Sequence, residues 1–393
     1  MNLNQLENIR RILDKEIANH EVTGVTARVI YQGEDVFSYS NGYERVEEQK
    51  PMKADSIMRL FSMTKPITAT AAMILYERGQ LDLFASVDEY IPEFAGDKVF
   101  TPEKIVPAER KILVRDLLNM TSPICYPDGT PGNIPGNKME ELFDRKKKEL
   151  REGIQTATVD LVCQASRLPM MFQPGDQWMY SFSADILGAV IERAAGKRFG
   201  AFLQDEIFKP LDMKDTGFYV PENKRNRFTD AYKYSADKER IELYQDNHLI
   251  VGDWTFAPEF ESGGAGLVST LNDYAKFTQM LVNGGTYENV RILGKNTVHF
   301  MGSNQLSEYQ RRTADWDSMW GYGYGNLMRV LDCPSKSSTN GTIGEFGWDG
   351  WMGNHFFVDP EDDMIFLYFV QVADAPYFVK DRRMLRQIIY GSL

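Results

Sequence analysis

The hydrophobic and polar positions of residues 1–45 follow two successive periods. Apolar side chains in MNLNQLENIRRILDKEIANHE recur at helical spacing, which predicts an amphipathic helix with one face on a core. After Gly24, the segments VTARVIYQG and EDVFSYSNGY are rich in β-branched and aromatic residues and are separated near Gly33. This pattern predicts a strand hairpin that directly follows the helix.

The other end of the chain repeats the pattern in reverse order. The segment NHFFVDPEDDMIFLYFVQ contains two apolar runs around the turn residues 359–362, and PYFVKDRRMLRQIIYG has helical spacing. Hairpins and helices at both ends predict an α/β (α+β) fold, in which the terminal parts of the chain form one antiparallel sheet flanked by helices.

The middle of the chain has a different pattern. Helical segments such as ILVRDLLNM and DILGAVIERAAG alternate there with loops rich in proline and glycine. We therefore expect a split α/β domain of residues 1–80 and 260–393, which holds a mostly helical inserted domain of residues 81–259. The cleft between the two domains is the expected active site.

Composition and charge exclude several kinds of partner. The chain has 393 residues, of which 43% are hydrophobic, and its formal net charge is −12. An acidic chain lacks the basic surface that nucleic acids and anionic membranes require, so neither is an expected partner. The N-terminus has no apolar signal core and no stretch has the roughly 18 apolar residues of a membrane span, which predicts a cytoplasmic protein.

Metal and cofactor motifs are missing from the sequence. The cysteines Cys125, Cys163 and Cys333 are far apart, and the four histidines form no H-E-x-x-H pattern. The sequence also lacks the G-x-S-x-G elbow of many serine hydrolases. We expect neither a metal nor a cofactor.

The segment LFSMTKPITATAAMILYERG carries the first candidate chemistry. Ser62 and Lys65 are three residues apart, so on a helix that begins near Ser62 their side chains share a face. Burial favours the neutral form of a lysine, which can then accept a proton from a neighbouring serine nucleophile. The alternative is that Lys65 extends to solvent. A second match, Ser235 to Lys238, lies in the polar stretch YKYSADKERIELY and shows that the spacing alone is weak evidence.

Tyr180 is the candidate partner. It ends the loop PGDQWMY, directly before a helix predicted to begin near Ser183. A phenol on such a loop can face the cleft, and near an ammonium it can act as a general base. A core aromatic is the alternative at this position.

These segments resemble the serine hydrolases of the class C β-lactamase, D,D-peptidase and family VIII carboxylesterase group. The resemblance covers nearly the whole chain and rests on several blocks in the same order: SMTKPITATAAMILYERGQLDL, ILVRDLLNMTS, PGDQWMYSFSADILGAVIERAAGK, FLQDEIFKPLDMKDTGF, SGGAGLVSTLNDYAKFTQMLVNGG and FGWDGWMGNHFFVDPE. It implies a β-lactamase-like fold, a nucleophilic Ser62, and Lys65 and Tyr180 as the proton-transfer pair.

The departures from this group bear on the substrate. A Trp348-Asp349-Gly350 segment stands where the β-lactamases have Lys-Thr-Gly, and Phe182 replaces the asparagine that follows their loop tyrosine. By resemblance, the amide of Trp351 joins that of Ser62 in the oxyanion hole. Aromatic groups in place of polar ones favour an apolar ester over a charged lactam.

The resemblance therefore implies a carboxylesterase most similar in motif to family VIII. The expected substrate-binding residues are Trp348, Gly350, Phe182 and Tyr126, the expected partner is a small-molecule ester, and no obligate protein partner is evident. A β-lactamase, a D-amino-acid peptidase or an acyltransferase with the same Ser62, Lys65 and Tyr180 is the alternative. A non-catalytic binding module on this fold is the second alternative.

Overall fold

The computed structural model describes residues 1–96, 98–246 and 248–393. The α-helices are α1 (Leu3–Ala18), α2 (Thr64–Glu77), α3 (Val114–Leu118), α4 (Ile134–Arg151), α5 (Thr158–Ala165), α6 (Ser183–Ala195), α7 (Phe199–Leu203), α8 (Leu271–Val282), α9 (Lys295–Met301), α10 (Glu308–Thr313), α11 (Pro334–Ser337) and α12 (Phe378–Tyr390). The strands are β1 (Gly24–Tyr31), β2 (Glu34–Arg45), β3 (Lys50–Pro51), β4 (Met58–Arg59), β5 (Lys98–Phe100), β6 (Ile105–Pro107), β7 (Tyr232–Ser235), β8 (Arg240–Leu243), β9 (Val268–Ser269), β10 (Thr286–Tyr287), β11 (Val290–Arg291), β12 (Tyr322–Gly325), β13 (Met328–Leu331), β14 (Phe346–Asp349), β15 (His355–Asp359), β16 (Met364–Phe369) and β17 (Val372–Ala373).

The main sheet joins the two ends of the chain, as the sequence predicts. Its strands run in the order β12-β13-β14-β15-β16-β1-β2-β3, with antiparallel pairing throughout. The hairpins β1–β2 and β15–β16 are the two that the alternating patterns predict, and β1 pairs with β16 from Thr26↔Phe369 to Tyr31↔Met364. The predicted fold class is confirmed.

Helices cover both faces of this sheet, and the alternation along β16 separates the two layers. Ile365 and Leu367 face a large core that includes most of α2 and α8, whereas Phe366 and Tyr368 face a smaller core with α1 and α12. The terminal helices thus cover one face, and α2, the helix that carries Lys65, packs on the other.

Helices α3 to α7 fall in the segment predicted as an inserted domain. Helix α6 packs against α2, α3 and α5, so it connects this segment to the helix that follows Ser62. The domain boundaries at residues 80 and 260 stay a prediction. In the part of the chain that the structure describes, no helix has the length and apolar character needed to cross a bilayer.

Candidate active site

Ser62 lies on a tight turn between β4 and α2. A 3₁₀ turn, Phe61–Met63, precedes the helix, and Phe61 has a φ of +46°, in the left-handed region that non-glycine residues rarely adopt. Such backbone strain is tolerated where the surroundings fix it. Here the Leu60 amide donates to Leu267 O at 2.9 Å, and Tyr274 OH donates to Met63 O at 2.9 Å. The turn therefore holds Ser62 rigidly at the start of α2.

Lys65 follows one helical turn later, on the same face as Ser62. Its side chain is fully buried, and its Nζ donates to Ser62 Oγ at 3.3 Å, to Tyr126 OH at 3.2 Å and to Gly264 O at 2.8 Å. The predicted contact between Ser62 and Lys65 is confirmed, and the alternative in which Lys65 extends to solvent is wrong. Every residue of α2 from Thr64 to Leu75 is buried, so the helix that carries Lys65 is packed on all sides.

Tyr180 completes a three-residue cluster. Its OH donates to Ser62 Oγ at 2.6 Å, and Lys65 Nζ lies 4.6 Å from the centroid of its ring. The loop that carries it is fixed by backbone bonds, since the Met179 amide donates to Met120 O at 2.8 Å and the Phe182 amide to Ile124 O at 3.0 Å. Ser62 Oγ is thus in hydrogen-bond contact with both candidate proton-transfer groups.

A buried carboxylate that the sequence analysis does not single out lies behind this cluster. Asp185 is in the first turn of α6 and accepts bonds from Ser262 Oγ, from the Gly264 amide at 3.2 Å and from Tyr126 OH at 3.3 Å. Burial raises the pKa of Asp185, and the charge of Lys65 opposes that increase. An ionisable residue at the head of an apolar helix is the same signal that marks Lys65, and it could have identified Asp185.

Tyr126 connects Lys65 to Asp185. Its hydroxyl accepts from Lys65 Nζ and donates to Asp185 Oδ2, so it separates the ammonium from the carboxylate. Burial, followed by the charge of Asp185, raises the pKa of Tyr126 well above its usual range, which keeps this phenol protonated. The structure gives Tyr126 contact with the candidate proton-transfer machinery, in addition to its expected position near the substrate.

The turn between β14 and β15 lies against the turn of Ser62. A Cβ on Gly350 would come within 2.5 Å of Leu60 O, so only glycine allows this approach. Asn354 Nδ2 donates to Arg59 O at 2.8 Å and links the same two turns. The backbone that follows Gly350 is therefore held beside the backbone that precedes Ser62.

Aromatic rings surround the cluster. The ring centroids of Trp348 and Tyr180 are 5.6 Å apart in a stacked arrangement, and Trp316, which is 40% exposed, lies 4.9 Å from Tyr180. On the other side, Trp351 packs 5.2 Å from Tyr244. Trp316 and Tyr244 lie outside regular helices and strands, and the sequence patterns gave no signal for them.

The position of Phe182 corrects one sequence prediction. Its side chain is only 1% exposed and packs edge-on against Tyr126 and Phe143, so it lies behind Tyr126 and not on the open wall of the cleft. Phe182 is the N-cap residue of α6, and its side chain follows the buried face of that helix. It supports a site residue and is shielded from a ligand.

A metal site would require a cluster of side chains that could bind the ion. Across residues 1–96, 98–246 and 248–393, no group of three or more His, Cys, Asp or Glu side chains is arranged to hold a metal ion. The cysteines Cys125, Cys163 and Cys333 are all free thiols.

Comparison with known proteins gives relatives that match along most of the chain. Protein Rv1367c of Mycobacterium tuberculosis (strain ATCC 25618 / H37Rv) is 31% identical over 375 residues, which cover 92% of this chain and 88% of that protein. Esterase EstB of Burkholderia gladioli is 28% identical over 363 residues, covering 88% of this chain and 86% of the esterase.

Solved structures give the same result for the fold. The structure of EstCE1, described as a hydrolase with promiscuous acyltransferase activity, matches with a TM-score of 0.82 and 22% identity, and the match covers 99% of each chain. The family model described as Beta-lactamase matches residues 9–389. The chain therefore belongs to the beta-lactamase family, a family of serine hydrolases that share this fold and that include esterases among its relatives.

Proposed function

We propose that this protein is a carboxylesterase that cleaves small to medium esters through an acyl-enzyme on Ser62. The observation that carries the proposal is the environment of Ser62 Oγ, which lies 2.6 Å from Tyr180 OH and 3.3 Å from Lys65 Nζ. Serine is a weak nucleophile unless a neighbouring group removes its proton. Both neighbours are bonded to the same oxygen, and they act as one coupled proton-transfer unit.

The proposed reaction has two halves. The Tyr180–Lys65 pair takes the proton of Ser62 as Oγ attacks the ester carbonyl, and then gives it to the departing alkoxide, so that an alcohol leaves and an acyl-serine remains. Water next loses a proton to the same pair and attacks the acyl-serine. The proton returns to Ser62 Oγ, and the carboxylic acid is released.

The oxyanion of each tetrahedral intermediate needs fixed donors. In the proposal these are the backbone amides of Ser62 and Trp351, because the first amides of a helix point outward and the turn after Gly350 is held against the Ser62 turn. Such donors stabilise the transition state without having to move during the reaction.

An apolar ester is the substrate class that the surroundings favour. Trp316 and Trp351 present aromatic surface near Ser62, and the buried Trp348 stacks on Tyr180 at the sequence position at which β-lactamases carry the lysine of Lys-Thr-Gly. Aromatic surface favours apolar acyl and alcohol groups, whereas a carboxylate-bearing lactam needs a cation. The names of the matched relatives point the same way, since EstB is an esterase.

An acyltransferase is the second candidate. EstCE1, which shares the fold over the whole chain, is described as a hydrolase with promiscuous acyltransferase activity. In the proposed mechanism this reaction differs only in the second half, where an alcohol replaces water as the acyl acceptor. Adding an alcohol such as methanol to the assay and measuring the new ester against the free acid separates the two reactions.

Hydrolysis of p-nitrophenyl butyrate, measured beside hydrolysis of nitrocefin, tests the proposal. We expect turnover of the ester, no turnover in Ser62→Ala, and wild-type turnover in Ser235→Ala, which alters the second Ser-x-x-Lys match, Ser235 to Lys238. A fluorophosphonate probe should label the wild type and Ser235→Ala but not Ser62→Ala. Rapid nitrocefin turnover with negligible ester turnover would show a β-lactamase, and the absence of labelling and turnover would favour a binding module.

A further inference from the structure

A cavity of about 150 Å³ lies outside the catalytic cleft, between the strands β12 to β15, the helix α12 and the segment 334–339. Its location follows from the alternation of side chains along β14. Trp348 stacks on Tyr180 in the cleft, whereas the next residue, Asp349, lies opposite His355 of β15 and lines the cavity. The cavity and the catalytic cleft therefore lie on opposite sides of one strand.

The cavity is strongly cationic in an acidic protein. Five basic side chains line it, with only two carboxylates, although the chain as a whole has a formal net charge of −12. The basic residues are Arg329, Lys336, Arg382, Arg383 and Arg386, and the acidic residues are Asp317 and Asp349. Clustered cations of this kind repel one another unless an anion joins them.

The charges at the base of the cavity are held in ion pairs, and those of Arg329, Arg386 and Glu345 are buried. Arg329, which is 5% exposed, donates to both oxygens of Asp349, and Arg382 lies 3.3 Å from the same carboxylate. Arg386 pairs at 2.7 Å with the buried Glu345. Two carboxylates thus face three guanidiniums at the base, and Arg383 adds a further positive charge that is exposed.

Several buried polar atoms around the cavity have no hydrogen-bond partner within the part of the chain that the structure describes. They are His355 Nε2, Tyr322 OH, Arg382 Nε and Arg386 Nε, and the first two residues are only 1% and 7% exposed. A buried polar atom without a partner costs about 1–3 kcal/mol. Two of the four atoms belong to guanidinium donors, one to a hydroxyl and one to an imidazole.

The imidazole determines what kind of anion suits the cavity. His355 Nδ1 lies 2.6 Å from Asp349 Oδ1, and because a carboxylate only accepts, Nδ1 carries the proton. Burial lowers the pKa of His355 to about 3, so the ring is neutral and Nε2 is an acceptor. An occupant must therefore supply acceptor oxygens to the guanidiniums and one O–H donor to Nε2.

We propose that this cavity binds a phosphate group accompanied by a hydroxyl, as in hydrogen phosphate or a small hydroxylated phosphate ester. The phosphate oxygens accept from Arg382, Arg386 and Tyr322 OH, and the O–H group donates to His355 Nε2. Guanidiniums match phosphate oxygens in geometry as well as in charge. Sulfate at neutral pH carries the charge of hydrogen phosphate without its proton, so it lacks the required donor.

Isothermal titration calorimetry at pH 7.5 and constant ionic strength tests this assignment with inorganic phosphate, glycerol 3-phosphate and sulfate. We expect saturable binding of a phosphate compound and at least about tenfold weaker binding of sulfate, the effect of one lost hydrogen bond to a buried group. Tighter binding of glycerol 3-phosphate identifies a phosphate ester as the occupant, and tighter binding of inorganic phosphate identifies the free ion.

Matched variants localise the binding. Tyr322→Phe removes a hydroxyl that has no partner within the described chain, and Arg383→Gln removes an exposed charge, so both variants should fold. Each should weaken phosphate binding about tenfold, while Arg193→Gln, an exposed arginine of α6, should not. Equal binding of phosphate and sulfate, no saturable binding, or unchanged affinity in both cavity variants would overturn the proposal.

Discussion

Lys65 and Arg329 are both buried cations, and a stack of rings lies between them. Lys65 Nζ lies 4.6 Å from the Tyr180 ring, Tyr180 stacks on Trp348, and the Arg329 guanidinium lies 5.6 Å from the Trp348 ring. Yet their polar partners differ. Lys65 bonds to two hydroxyls and one carbonyl, whereas Arg329 bonds to both oxygens of Asp349.

The different partners suit Arg329 and Lys65 to different roles. A cation in direct contact with a carboxylate is held in its charged form, which suits Arg329 as a structural group. In the described residues Lys65 has no such ion pair, because the hydroxyl of Tyr126 stands between it and Asp185. A lysine that exchanges a proton with Ser62 and Tyr180 needs this kind of neutral contact.

Replacing each cation by a neutral side chain should give the largest effects on activity and stability. Lys65→Met removes a proton-transfer group, and we expect kcat/KM for p-nitrophenyl butyrate to fall by about 10³-fold or more with a small change in Tm. Arg329→Met leaves Asp349 without its main partner and should cost about 3–5 kcal/mol of the free energy of unfolding. Urea denaturation and steady-state kinetics on both variants provide the measurements.

The two variants control for each other. If Lys65 were mainly structural, its variant would lose stability and the remaining folded fraction would keep its specific activity. If Arg329 acted in the reaction, its variant would lose specific activity without losing stability. Either result would remove the distinction between the two buried cations.

Asp185→Asn should have a smaller effect on activity. The amide keeps the size of the carboxylate, and its oxygen can still accept from Ser262 and from the Gly264 amide, which both bond to Oδ1. Its NH2 group replaces Oδ2, the acceptor of the Tyr126 bond, and the negative charge one hydroxyl away from Lys65 is lost. We expect kcat to fall about tenfold while KM and Tm stay near the wild-type values, since one hydrogen bond to a charged group changes strength. A structural role alone would lower Tm and leave kcat of the folded enzyme unchanged.

Much of the fold could be predicted because its signals are local. The hairpins β1–β2 and β15–β16 have alternating apolar residues and turn residues between them, and both form as predicted. The contact of Ser62 with Lys65 likewise follows from helical spacing. Tyr180 needed the family resemblance as well, because no local pattern brings residue 180 to residue 62.

The missing parts of the site depend on long-range packing. Trp316 and Tyr244 join the aromatic rings around the Ser62 cluster from segments that are distant in sequence. No periodic pattern in the sequence predicts their positions. The sequence position of Phe182 predicts a place in the cleft, but its ring packs against Tyr126 and Phe143 behind the site. The cationic cavity joins residues of four strands, a terminal helix and the segment 334–339, so composition alone could not reveal it.

A third buried ionisable group, the carboxyl of Glu16, should affect stability through the pH. Glu16 of α1 accepts a bond from Tyr368 OH at 2.9 Å, and burial raises its pKa to about 8 from a usual value of 4.5. Between these values the folded protein binds more protons than the unfolded chain, so stability falls as the pH rises. The slope for this group is at most about 1.4 kcal/mol per pH unit.

Glu16→Gln removes this titration and leaves an amide oxygen that can still accept from Tyr368. We expect the variant to gain stability relative to the wild type as the pH rises from 5 to 8, with no further gain above pH 9, in urea denaturation at each pH. Glu7→Gln, at a 58% exposed position of the same helix, should show no such trend. A constant difference between Glu16→Gln and the wild type would mean that Glu16 stays ionised in the folded protein. Burial alone would then not be enough to neutralise a carboxylate in this protein. The difference between Lys65 and Arg329 would in that case depend only on the direct bond of Arg329 to Asp349.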